Sequence, residues 1–280
     1  MKAGFIGAGK VGFSLGKFMS LASVRVTGYY SLHEESAAEA AEFTGTRSYT
    51  DLGELICDSD VIFITVPDGV LSSVYEEVIG YEIAGKYLCH CSGLLSAGDV
   101  FADIDKYGAY GCSIHPLFPF SSKYDSYKGL QDAFFCLEGN ITDEMKAMIE
   151  SLGVNIFSVD GHNKKKYHAA CAIASNLVCG IEQIALELLN ECGFDSKEAM
   201  AALSPLLKYN LEHILKDGPV MALSGPVERG DADTVRNHLE SIEDNLNLTI
   251  YRFLSEKILS MAKMKNPERN YDALEQILSK

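Results

Sequence analysis

The chain has 280 residues, 47% of them hydrophobic, and 39 acidic against 24 basic side chains give it a formal net charge of −15. The length suits two domains of ordinary size, and the acidic balance excludes nucleic acid as a partner because its phosphates would be repelled. The first strand starts at the second residue, leaving no room for a signal peptide, and no apolar run is read as long enough to span a bilayer, so cytoplasm is expected and membrane attachment is not.

A short apolar run at 3–6 enters Gly7-Ala8-Gly9-Lys10-Val11-Gly12, and Phe13, Leu15, Phe18 and Met19 follow at helical spacing. Strand, tight turn and helix start, with a second strand expected at 24–30, form the context of a dinucleotide-binding fingerprint. Gly7 permits the sharp turn, Gly9 lets backbone approach a pyrophosphate, and Gly12 lets the helix pack closely on the strand. The helix N-terminus then presents free N–H groups to phosphate. The plain alternative is a glycine turn in a doubly wound sheet without a ligand.

Cofactor choice is read where the second strand ends, at Tyr29-Tyr30-Ser31-Leu32-His33. An acid there would accept hydrogen bonds from the ribose of NAD, whereas a 2′-phosphate needs donors. The first acids, Glu34 and Glu35, lie in the next helix, Ser31 can donate, and His33 or Arg47 can add positive charge. NADP is therefore expected, with NAD as the alternative.

Further strands are expected at 61–66, 87–91, 109–115, 133–138 and 155–159, with amphipathic helices at 36–43, 70–79 and 143–152. This alternation predicts an α/β fold, a Rossmann-type doubly wound sheet covered by helices. Val66-Pro67, His90-Cys91-Ser92-Gly93 and His115-Pro116 then fall at carboxyl ends of strands, where ligands bind in such sheets. Ser92 and Gly93 are candidates to hydrogen-bond a nicotinamide amide or a substrate carboxylate. His115 either polarises or protonates a carbonyl, or caps a turn stiffened by two prolines. Cys57, Cys89, Cys91, Cys136, Cys171 and Cys179 lie in apolar runs and are read as reduced core residues. No metal is expected: alternation turns His90 away from Cys89 and Cys91, and no paired CxxC spacing occurs.

After residue 160 the strand-like runs stop, and helices are expected at 163–192, 196–217, 231–245, 248–264 and 267–278. The boundary is placed there, with a nucleotide-binding domain at 1–160 and an all-α domain at 161–280 for substrate and dimerisation. Lys164-Lys165-Lys166 reads as a solvated helix start, and Ser196 as a helix cap. On one continuous helix His168, Ala172 and Ser175 share a face, with Asn176 at its edge. A histidine there can give a proton to an alkoxide, and Asn176 can hold the substrate oxygen; the alternative is a satisfied core histidine and a capping asparagine. In the Gly-Pro loop at 223–231, Arg229 suits bidentate carboxylate binding, or pairs with a neighbouring acid, and Asp231 suits a helix cap. Five amphipathic helical segments exceed what a domain this small buries internally, so a homodimer is expected, with Leu186, Leu188, Leu189, Ile214, Leu215 and Phe253 as candidate contacts.

Together, the glycine turn at 7–12, Ser92-Gly93, His115-Pro116-Leu117, Tyr167-His168 with Asn176, and Gly225-Pro226 with Arg229-Gly230-Asp231 resemble a family of Rossmann-like oxidoreductases. Its C-terminal half is known as domain of unknown function 2520, and the resemblance covers essentially the whole chain. That family is similar to pyrroline-5-carboxylate reductases, ketopantoate reductases and β-hydroxyacid dehydrogenases, and some members look like alternative ketopantoate reductases. In the β-hydroxyacid enzymes a lysine and an asparagine one helical turn apart supply proton and orientation. The resemblance sets His168 at the lysine's place, with Asn176 two turns on. It implies an NADPH-dependent reductase of a small carboxylate-bearing ketone, with 2-dehydropantoate as the leading substrate. His168 would be the proton donor, with Asn176 and His115 beside the reacting carbonyl, and Ser92, Gly93, Ser175 and Arg229 would bind substrate. The alternatives are a cyclic-imine reductase like pyrroline-5-carboxylate reductase, and a nucleotide-binding sensor without turnover.

Overall fold

The computed structural model describes residues 1–22 and 24–279. It divides into two compact units, Met1–Ser175 and Asn176–Lys280.

The first unit is an α/β unit built on one sheet of β1 (Lys2–Ile6), β2 (Arg25–Tyr30), β3 (Arg47–Tyr49), β4 (Val61–Ile64), β5 (Tyr87–His90), β6 (Tyr110–Pro116), β7 (Phe134–Gly139) and β8 (Asn155–Ser158). Among the described residues its order is β3-β2-β1-β4-β5-β6-β7-β8, parallel except where β7 runs antiparallel to β6. All four residues of β4, Val-Ile-Phe-Ile, are buried, as a central parallel strand covered on both faces requires. Alternation sends Phe5, Val61, Phe63 and Cys89 to one layer, with α1 (Lys10–Leu21), α2 (Glu34–Thr44) and, later in the chain, Met145 and Ile149. The opposite layer receives Ile6, Ile62, Ile64 and Leu88, with α3 (Leu52–Asp58), α4 (Leu71–Val78) and α5 (Ala97–Val100). The next helix, α6 (Asp143–Glu150), carries Met145 and Ile149. The chain passes from β1 outward to β3 and returns to β4 on the other side. Strand order therefore reverses between β1 and β4, and this opens a crevice at their carboxyl ends.

Several elements were not expected from the sequence, β3 and α3 among them. β3 has three residues, too few for alternation to show, and α3 is a seven-residue helix capped by Asp51, whose carboxylate accepts the Glu54 N–H. The cysteine expectation holds for Cys89 and Cys136, which are buried, but Cys57 and Cys179 are exposed. His90 does turn away from Cys89: it faces Phe101 in the opposite layer, ring centroids 5.4 Å apart.

The helix expected at 163–192 is two helices, α7 (Lys164–Ala174) and α8 (Asn176–Glu191), because Ser175 leaves helical geometry at φ −125°, ψ −77°. The division between the units falls at this break and not at 160–161, because α7 is anchored in the first unit through its first turn. The face drawn through His168, Ala172 and Ser175 therefore ends before Asn176. Contrary to expectation, the stretch Gly161–Glu191 is long and apolar enough to cross a bilayer, with a window of mean hydropathy 1.5. The break at Ser175 and the docking of α7 against the sheet make it two helices of an α/β protein.

The second unit contains α8, α9 (Ser196–Asp217), α10 (Pro219–Ala222), α11 (Pro226–Arg229), α12 (Ala232–Ser241), α13 (Asn245–Lys265) and α14 (Asp272–Leu278). Its core joins α11 to α14 through Val227, Val235, Leu259, Ala262, Tyr271 and Leu274. Asp195, not Ser196, caps α9, in a reciprocal box with Glu198. Asp231 caps α12 as expected, accepting the Thr234 N–H. No residue of α8 is buried within the chain, and Leu206, Leu215 and Phe253 are 68%, 77% and 63% exposed.

Candidate active site

The crevice at the carboxyl ends of β1, β2 and β4 has a volume of about 580 Å³ and is lined by Gly7, Ala8, Gly9, Ser31, His33, Val66 and Pro67 among others. Gly7 sits at φ +95°, a conformation that a side chain disfavours, and its N–H donates to the Tyr30 carbonyl across 2.8 Å. A Cβ on Gly12 would stand 2.3 Å from Thr65 Oγ1 and 2.6 Å from the Gly7 carbonyl oxygen, so α1 meets β4 as closely as a glycine permits. A Cβ on Gly9 would meet nothing nearer than the Thr65 carbonyl at 4.0 Å, because this position faces the open crevice. Gly9 caps α1 without a side-chain hydrogen bond, and the first turn carries no acid. The cradle therefore fits a dinucleotide: uncapped N–H groups, no repelling carboxylate and room at Gly9 for a pyrophosphate. Lys10 is exposed and Val11 half-buried at the lip of this turn.

At the end of β2, Ser31 Oγ accepts the His33 N–H at 3.3 Å and keeps its own proton free to donate. His33 and Leu32 are exposed, and Ser36 also lines the crevice. Arg47 does not contribute. Its guanidinium is engaged by Glu54 and Asp58 and lies over the Tyr49 ring, 4.4 Å from its centroid.

A second cluster lies where β5 and β6 end against α7. A Cβ on the buried Gly93 would stand 2.7 Å from His168 Cδ2 and 2.9 Å from His115 Nε2, so the two imidazoles converge on this glycine. His115 Nδ1 is 2.6 Å from the Tyr167 hydroxyl, which leaves Nε2 for the Gly93 side. Burial, then the charge of Lys164, pushes His115 down to about 3. His115 is therefore neutral in ordinary buffers and can polarise a carbonyl but not protonate it as imidazolium. Burial holds the Tyr167 hydroxyl far above its usual value, with Cys136 and Cys171 beside it.

The turn that carries Gly93 is pinned from several sides. Ser92 Oγ donates to Asp68 at 2.8 Å and accepts the N–H groups of Leu94 and Leu95 at 3.2 and 3.0 Å. With one donor and two acceptor positions filled, the hydroxyl shapes the turn and is not free for a ligand, contrary to expectation. His90 Nδ1 accepts the Ser92 N–H at 3.2 Å, so its Nε2–H donates to the Ser96 carbonyl at 3.2 Å. Burial, then the Lys164 charge, lowers His90 to about 4. Lys164 is the largest departure from the sequence reading. Lys165 and Lys166 are exposed, but Lys164 is fully buried, its Nζ donating to the Ser92 carbonyl at 2.9 Å and to Ser113 Oγ at 2.8 Å. The available signal was spacing: Lys164, Tyr167, His168 and Cys171 fall on one helical face, which the run of three lysines obscured.

In the second unit Asn176 opens α8 and is exposed. Arg229 ends α11, also exposed, and its charge helps to lower the Asp231 carboxyl, after the bonds from Thr234. Ser96, Asp99, Glu138 and Lys165 line a separate, open pocket of about 490 Å³.

Residues 1–116 match the model of a Rossmann-like domain, and residues 133–258 match that of domain of unknown function DUF2520. No curated protein matches the sequence. Among solved structures, a Thermotoga maritima protein superposes with a TM-score of 0.74 at 24% identity, covering 94% of this chain and 99% of that one. A Bacteroides fragilis protein provisionally named an NADP oxidoreductase gives 0.72 at 22% identity, covering 92% and 98%. A pyrroline carboxylate reductase of Plasmodium falciparum with NADP bound gives 0.60 at 16% identity, covering 94% and 98%. These likenesses establish the fold. His115 lies in the first matched region and Lys164, Tyr167 and His168 in the second, and the chain joins a Rossmann-like domain to a domain of the DUF2520 family.

Proposed function

We propose that this chain is an NADP(H)-dependent reductase of a small carboxylate-bearing carbonyl compound, with 2-dehydropantoate as the leading candidate substrate. The observation that carries the reading is the convergence of His115 and His168 on Gly93, within the unit that also holds the dinucleotide cradle. The NADP named for two of the similar structures supports the cofactor, as does an adenosine end lined by Ser31, His33 and Ser36. Bound NADPH would supply a hydride to the carbonyl carbon and leave as NADP. His168 gives a proton to the oxygen as it becomes an alkoxide. Neutral His115, its Nδ1 held by Tyr167, directs Nε2 at the same oxygen and polarises it.

A cyclic imine is the second reading. It is favoured by the likeness to a pyrroline carboxylate reductase and by the neutral His115, since an iminium already carries its proton. Kinetics of His168→Ala and His115→Ala test the assignment. Loss of turnover in the first by about two to four powers of ten, with NADPH affinity kept, supports it. Near-normal turnover in both removes it. The proposal includes a homodimer formed through the apolar helices of the second unit, whose exposed side chains include Leu215 and Phe253.

A further inference from the structure

A fully buried ammonium is costly to keep, because it surrenders its hydration, and a methionine would fill the same space. Lys164 is such a group, and both of its hydrogen-bond partners, the Ser92 carbonyl and Ser113 Oγ, are neutral. It sits beneath the turn on which His115 and His168 converge, with its Nζ 5.6 Å from the centre of the Tyr167 ring. We propose that Lys164 is the positioning residue of this site: its ammonium fixes the Gly93 turn through the Ser92 carbonyl and sets a positive charge against His115, so that proton donation falls to His168.

The geometry supports both parts. The Ser92 carbonyl also accepts a bond from Ser113 Oγ at 3.4 Å, so the ammonium, the β6 hydroxyl and the turn close into one network. This network lies directly before Gly93, and any shift of the Ser92 carbonyl moves the glycine between the imidazoles. The charged and titratable groups around Lys164 come from every element packed on it. From β5 and its turn come His90 and Cys91, and from β6 His115. From β7 come Cys136 and Glu138, and Asp68 follows β4. Glu138 spends one oxygen on the Ala97 N–H and is itself held up by burial. Two imidazoles on neighbouring strands thus share one cation, and both are driven toward the neutral form. His115 additionally faces His168.

The inference rests on the reductase reading only for its final step. Its test is made on the full chain by NMR of 13C-labelled histidine between pH 3.5 and 8. In the wild type, His90 and His115 are expected to stay neutral down to below pH 5. In Lys164→Met and Lys164→Gln both titrations should rise by about one unit or more. Gln retains a donor for the Ser92 carbonyl, so a shift in both variants assigns the effect to charge. In the Gln variant the pH profile of kcat should gain a second ionisation from His115, while KM for NADPH stays unchanged. Wild-type His115 titrating near its ordinary value, or unmoved titrations in both variants, would overturn the proposal. If neither variant folds, a wild-type His115 that titrates near its ordinary value still overturns the proposal. Shifted titrations without turnover of any substrate would uphold Lys164 and reject the reductase; turnover with unshifted titrations would do the reverse.

Discussion

Gly9 and Gly12 are three residues apart in one motif, yet the structure predicts opposite consequences for replacing them. Gly9→Val places its side chain in open crevice, and the backbone at φ −77°, ψ −175° suits any residue. Its effect on stability is the loss of a favourable cap residue, about 1 kcal/mol or less. Binding is another matter, since the branched side chain fills the space a pyrophosphate must enter. Losing one charge-assisted bond to the helix N-terminus costs about 2–3 kcal/mol, or roughly a hundredfold in affinity for NADPH. Gly12→Ala drives a methyl group to 2.3 Å from Thr65 Oγ1 and 2.6 Å from the Gly7 carbonyl, breaking the 2.8 Å bond between them. Overpacking of about 1–3 kcal/mol plus that bond outweighs the helix propensity gained, so a net loss of about 2 kcal/mol is expected. Calorimetric titration with NADPH and urea denaturation of each variant measure the two effects separately. A Gly9→Val protein that binds NADPH as tightly as the wild type would refute the cradle, and an unperturbed Gly12→Ala would refute the packing argument.

Calorimetry should give tighter binding of NADP(H) than of NAD(H), because Ser31 and His33 stand where an NAD enzyme carries an acid; the reverse order means the end of β2 has been misread. His90 is held near 4 when folded and titrates near 6.5 when unfolded, so the unfolded state binds the extra proton and stability falls as pH drops from 6.5 toward 4. Urea denaturation at pH 7 and 4.5 should show about 2–3 kcal/mol more loss in the wild type than in His90→Asn, and equal losses would contradict the buried neutral imidazole. Light scattering should report a dimer at micromolar concentration, and Leu215→Glu with Phe253→Glu should weaken it; a monomeric wild type removes that proposal.

The parts legible in the sequence were those whose signal is local. The glycine turn, the buried run of β4 and the α9 span at 196–217 are each written in consecutive residues, and the structure places them there, with β4 ending at Ile64 rather than at 66. The break at Ser175 was invisible because apolar periodicity continues through it, and a helical wheel drawn across the break joined Asn176 to a face that ends before it. Lys164 and Ser92 were misread for a different reason. Whether a lysine is solvated or a hydroxyl saturated depends on partners 72, 51 and 24 residues away in sequence, which no local pattern reports. His115 and His168 lie in separate segments of the sequence, and only the fold brings both to Gly93.

Steady-state oxidation of NADPH, followed at its absorbance with a panel of small 2-oxo acids and cyclic imines, tests the central claim most directly. The account predicts turnover with a carboxylate-bearing ketone, 2-dehydropantoate foremost, that depends on His168 and fails with NADH at the same concentration. Binding of NADPH without turnover of any member of the panel would contradict it and leave a nucleotide sensor.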